Sequence, residues 1–156
     1  MPLWKKSERI MTDGRVEVTY CDDIRDELRG KHSLIGVYRE DLFVGDIPFT
    51  LSKLCAWVSV ISPTSRPFKK LRVRLVQGEE ETPLYDTGEY DYLSSEREEA
   101  EERVETPTAF FAIVFSPFIV KKETFLSVIA ETEDGELRGR RLRIRKMSEP
   151  DQNLSP

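Results

Sequence analysis

Hydrophobic and polar residues alternate along much of this chain, and the alternation has a period of two. Val16, Val18 and Tyr20 fall on one side of an extended segment, with Arg15, Glu17 and Thr19 on the other. Successive side chains of a β-strand point to opposite faces, so this pattern predicts a strand with one buried face. Leu71, Val73 and Leu75 against Lys70, Arg72 and Arg74 repeat it, as do Leu142 and Ile144 against Arg141, Arg143 and Arg145. Segments 33–38, 54–61 and 125–130, rich in β-branched and aromatic residues, predict further strands, and Phe43-Val44 begins a short extended piece. Phe110 to Phe115 is apolar on both faces, the pattern of a central sandwich strand.

Turn chemistry separates these runs. Arg29-Gly30-Lys31, the proline-rich stretch 62–67 and Glu133-Asp134-Gly135-Glu136 each mark a reversal. The last is an Asp-Gly hairpin signal, for which both turn positions are expected at positive φ. Cys21 to Glu27 breaks the alternation of the first strand, and residues 77–92 read as a hairpin arm or long loop. Residues 94–105 stand apart, with Glu96, Glu98, Glu99, Glu101, Glu102 and Glu105 around Arg97 and Arg103; Ser95 is placed to cap a short, solvated helix with Glu98. The resulting organisation is a loose arm at 1–14, one domain at 15–146 carrying the acidic insert at 94–105, and a disordered tail at 147–156. Seven or eight short strands spaced by turns predict an all-β, antiparallel, two-layer sandwich of immunoglobulin-like type.

Composition narrows the functional classes. The 156 residues suit one domain. A 38% hydrophobic content supports a packed core, and 34% charged residues exceed the usual quarter, so the surplus belongs on surfaces. A net charge of −5 argues against a general nucleic-acid coat and leaves room for a local basic patch. Cys21 and Cys55 pair only if the fold brings their backbones together; two cysteines in a chain of this size are expected as buried free thiols in a reducing compartment. No apolar run follows the N-terminal lysines and none reaches membrane-spanning length, so the expected location is the cytoplasm.

Tyr20-Cys21-Asp22-Asp23-Ile24-Arg25, followed by Gly30-Lys31-His32-Ser33-Leu34-Ile35-Gly36-Val37-Tyr38, resembles the opening signature of a family of short uncharacterised proteins from bacteria and their phages. Members usually continue with an aromatic-proline element and a leucine-proline-lysine-leucine turn. The corresponding residues here run from Ile47-Pro48-Phe49 to Leu51-Ser52-Lys53-Leu54, with Ser52 where proline is common. The resemblance spans roughly residues 15–146 without the insert, is most specific at its start, and implies an immunoglobulin-like sandwich. It brings no established activity or catalytic residues.

Candidate chemistry is sparse. Asp22, Asp23, Asp26 and Glu27 offer oxygen ligands for a hard cation but lack the alternate spacing and central glycine of a calcium loop, so turn and capping roles are the plainer reading. His32 is the sole histidine and sits at the Gly30-Lys31 turn, away from any nucleophile. No nucleophile elbow, phosphate loop or dinucleotide loop occurs, and no cofactor or enzymatic activity is expected. The outward arginines carry the main interest: Arg72 and Arg74 on one strand, and Arg138, Arg140, Arg141, Arg143 and Arg145 near the C-terminus, with Lys69, Lys70 and Lys146 beside them. In one sheet their polar faces would merge into a cationic surface suited to carboxylates or phosphates, with Glu98, Glu99, Glu101 and Glu102 as a natural counter-charge. The expectation is a non-enzymatic module acting through protein–protein contacts, a second copy of the chain included. An anionic ligand, such as a nucleotide or nucleic-acid phosphate, is the alternative.

Overall fold

The computed structural model describes residues 14–92 and 107–148. Thirteen strands form among them, some with alternating apolar and polar side chains and some apolar on both faces. These are β1 (Arg15–Glu27), β2 (Lys31–Val37), β3 (Asp41–Val44), β4 (Phe49–Leu51), β5 (Leu54–Ile61), β6 (Lys70–Gln77), β7 (Tyr85–Asp86), β8 (Tyr90–Asp91), β9 (Thr108–Phe115), β10 (Phe118–Val120), β11 (Thr124–Thr132), β12 (Gly135–Arg138) and β13 (Leu142–Lys146). The acidic insert, with Glu98, Glu99, Glu101 and Glu102, lies outside the described residues, as do 1–13 of the arm and 149–156 of the tail.

Two sheets face each other. The first has the order β2-β1-β5-β9, and the second β3-β13-β11-β6-β7, with β12 also on β11 and β8 also on β6. Every pairing is antiparallel except that of β13 with β3, which run side by side with Arg143 opposite Asp41 and Arg145 opposite Phe43. A ribbon of β4 and β10 closes one end. Its Phe118–Leu51 pairing continues the register of Phe115–Leu54 in β9 and β5 past a bend.

The core forms where the inward sets meet. Val18, Tyr20, Val58 and Val60 from the first sheet pack on Leu71, Val73, Leu126, Val128, Leu142 and Ile144 from the second, all buried. Each such aliphatic side chain contributes on the order of 1.5–3 kcal/mol when removed from water. Tyr20 ties the layers directly: its hydroxyl donates to the Arg140 carbonyl at 3.1 Å and lies 3.4 Å from that of Leu126. Burial raises its pKa, which keeps the hydroxyl a donor.

The architecture is thus the all-β two-layer sandwich that the alternation predicts, and four local expectations change. β1 does not stop at Cys21 but pairs with β2 as far as Glu27, opposite Lys31. The arm so formed reverses at Arg29 and Gly30, both at positive φ. His32 accordingly stands in β2 rather than in the turn. In the β11–β12 hairpin Thr132 pairs with Gly135, so Glu133-Asp134 make the turn and Gly135 alone takes positive φ. Finally β9, read as a central strand, is the outermost described strand of the first sheet, with Phe110 59% and Val114 50% exposed. Apolar residues on both faces therefore mark here a strand whose outer side stays open.

The β1–β2 arm bends back over the first sheet. His32 is in register with Asp26, whereas Trp57 is in register with Thr19, seven residues earlier on β1. A straight strand would separate these rows by about 23 Å, yet the His32 and Trp57 rings lie 4.4 Å apart, and Trp57 stacks at 5.6 Å on Phe110.

Candidate functional site

Strand β13 presents the arginines. Leu142 and Ile144 fill the core, and alternation sends Arg141, Arg143 and Arg145 outward. Pairing with β11 sets Arg143 beside Phe125, and parallel pairing with β3 sets it beside Asp41. The Arg143 guanidinium reaches both Asp41 oxygens, at 2.8 and 2.9 Å, with Glu40 at 3.7 Å. Arg141 lies over the Phe125 ring at 4.2 Å, and Arg145 over that of Phe43 at 5.9 Å. Cation–π contacts of this kind position a guanidinium without neutralising it.

Two adjoining open clefts follow from this packing. One, of about 370 Å³, is lined by Glu40, Phe125, Arg140, Arg141 and Arg143. The other, of about 720 Å³, is lined by Val37, Tyr38, Arg39, Glu40, Asp41, Phe43 and Arg140. They share Glu40 and Arg140. Both carboxylates of the rim, Glu40 and Asp41, are engaged with Arg143. Arg39, Arg140, Arg141 and Arg145 have no carboxylate within ion-pair distance among the described residues.

The remaining predicted arginines are arranged differently. β6 and β13 do share a sheet, as a merged cationic face requires, but β11 lies between them and contributes Glu131. Arg72 forms a two-point pair with Asp86 at 2.7 and 3.0 Å and also approaches Glu131. Arg74 contacts Glu131 at 2.8 Å and Glu136 at 3.6 Å, and Arg138 contacts Glu136 at 3.2 Å. The Arg72 guanidinium and then the Gly88 N–H hold the Asp86 carboxyl down to about 2, and Arg72 is correspondingly raised by the Asp86 contact. This half of the face is a salt-bridge lattice of alternating sign.

The acidic run in β1 is spoken for residue by residue. Asp22 accepts from the Tyr38 hydroxyl, and Asp23 accepts from Lys53 at 2.9 Å and Arg25 at 3.2 Å. These hydrogen bonds lower the Asp23 pKa. Asp26 pairs with His32 Nδ1 at 2.8 Å. Among the described residues no group of three or more His, Cys, Asp or Glu side chains converges as a metal site would require.

Sequence reasoning identified Arg140, Arg141, Arg143 and Arg145 but missed Arg39, Tyr38 and Phe43 as their neighbours. The missing information is the parallel β3–β13 pairing, which joins segments about a hundred residues apart and leaves no local periodic signal. Among the described residues no helix is long and apolar enough to cross a membrane. Comparison with protein-family models, curated proteins and solved structures finds no match to this chain, so its fold and its arginine-lined clefts stand on their own geometry.

Proposed function

We propose that this chain is a non-enzymatic interaction module that binds another protein through the arginine-lined clefts beside β3 and β13. One observation carries the reading: Arg39, Arg140 and Arg141 lack carboxylate partners among the described residues, whereas Arg72, Arg74, Arg138 and Arg143 are all paired. Unpaired guanidinium groups around a concave surface keep their full capacity for bidentate bonds to an incoming carboxylate. Phe43, 49% exposed, adds an apolar foothold of the kind that anchors protein contacts. A partner surface with acidic side chains around a small apolar residue fits these features. The resemblance of residues 20–38 favours an immunoglobulin-like module of bacterial or phage origin, and the sequence pattern favours a cytoplasmic one.

A second reading has its own support. Phe43 and Tyr38 lie beside the arginines, and an aromatic ring next to a guanidinium also suits a nucleotide base next to its phosphate.

Affinity capture from a bacterial extract separates the readings when three baits are compared: the wild type, Arg140→Glu/Arg141→Glu, and the distal control Arg25→Glu. Proteins retained by the wild type and the control but lost from the cleft variant support the proposal. Identical captures by all three overturn it. A fluorescent oligonucleotide titrated at rising salt addresses the second reading, since phosphate contacts weaken steeply with ionic strength.

A further inference from the structure

Cys21 and Cys55 are the only cysteines of the chain, and both are free and buried. They stand directly opposite each other in the antiparallel pairing of β1 with β5. Directly opposed residues share a face, and here it is the outer face of the first sheet, since their neighbours Tyr20 and Ala56 point into the core. Two nearby carbonyls receive the thiols: Cys21 Sγ lies 3.4 Å from the Asp23 oxygen and Cys55 Sγ lies 3.7 Å from that of Asp22. Both sulfurs thus lie under the same short stretch of backbone, where the β1–β2 arm begins to fold back.

Opposed residues in an antiparallel pair have Cα atoms about 4.5–5.5 Å apart, inside the roughly 4.4–6.8 Å span that disulfides occupy. We propose that Cys21 and Cys55 are a redox-active dithiol that a small-molecule disulfide, such as oxidised glutathione, converts into an intramolecular disulfide bridging β1 and β5. One cysteine thiolate attacks the glutathione disulfide and displaces a glutathione thiolate. The second cysteine then attacks the protein sulfur of the mixed disulfide and displaces the other glutathione. Each cysteine gives up its proton, the protein loses two electrons, and one glutathione disulfide becomes two thiols.

Burial sets the conditions. Desolvation, followed by the neighbouring Cys55, pushes the Cys21 thiol up to about 11, and desolvation also raises Cys55. Thiolate is the attacking species, so oxidation is slow near neutral pH and speeds up in mild base. The ring closed by the bond contains β2, β3 and β4, and with them Tyr38, Arg39 and Phe43 of the cleft rim. The inference itself rests only on the Cys21–Cys55 register and holds whether or not the clefts bind a partner.

The experiment equilibrates folded protein in glutathione buffers of stepped redox ratio at pH 7 and pH 9. It starts from both the reduced and the oxidised form, and free thiols are blocked in acid before peptide mass spectrometry. The expected product is wild-type protein lighter by two hydrogens with a Cys21–Cys55 linked peptide, absent in Cys21→Ser and Cys55→Ser. Its thermal midpoint should rise by about 10 °C, given the constraint on a ring of this size. Glutathione adducts or intermolecular dimers as the main oxidised species would overturn the proposal. So would convergence from both directions on two free thiols across the whole range.

Discussion

The outer faces of the two sheets descend from the same alternating pattern and end in opposite chemistry. On the second sheet the outward residues of β6, β7, β11 and β12 form a lattice in which Arg72, Arg74 and Arg138 each meet a carboxylate. On the first sheet the outward side, past the Arg15–Glu17 ion pair at the start of β1, is aromatic and apolar: His32 covers Trp57, Trp57 stacks on Phe110, and Val114 stands open further along β9. Period-two patterning determines which side chains leave the core. What becomes of them afterwards depends on lateral neighbours, and those are set by strand order.

Substitutions can break this contrast or sharpen it. The largest effect belongs to the interior that both faces share: Leu142→Ala should cost about 3 kcal/mol in chemical unfolding, whereas Arg141→Ala next to it should change stability little. A cost for Leu142→Ala no larger than that for Arg141→Ala would refute the inward–outward assignment of β13. Next comes Trp57→Ala, expected to lose about 2 kcal/mol and to loosen the folded-back arm, read as faster amide exchange in β2. Unchanged exchange would mean that the arm holds its place without the ring stack. Tyr20→Phe, which removes the hydroxyl joining the layers, should cost about 1–2 kcal/mol.

The lattice gives the smallest and most conditional effect. The folded-state pKa of Asp86 lies below its unfolded value, so its pairing with Arg72 stabilises the protein above about pH 4 and is lost as pH falls toward 2. The urea midpoint of the wild type should therefore drop through that window more than that of Asp86→Asn. High salt should shrink the difference, because the pair is partly exposed.

Much of the sandwich was legible because several of its strands are half-buried. The start of β1, β6 and β13 follow directly from alternation, whereas β5 and β11, buried on both sides along most of their length, are marked by their β-branched and aromatic residues. Failure came where alternation loses its meaning. The β1–β2 arm leaves the core, so from Asp22 onward neither side of β1 is consistently apolar, and the period vanishes although the strand continues. In β9 the apolar residues on both sides pointed to a centre, because sequence cannot show whether a neighbouring strand is there. The arginines were legible as outward, but their partners Asp86, Glu131 and Asp41 come from other strands, and only tertiary pairing distinguishes a neutralised arginine from a free one.

The parallel junction of β13 with β3 also constrains the order of assembly. β3 precedes β13 by about a hundred residues, yet β13 is its only described neighbour in the second sheet. Residues 41–44, whose Leu42 and Val44 are buried in the finished fold, therefore lack this pairing until β13 has been made. A ribosome stalled before Leu142 would carry a nascent chain with one sheet able to close and the other still lacking its edge.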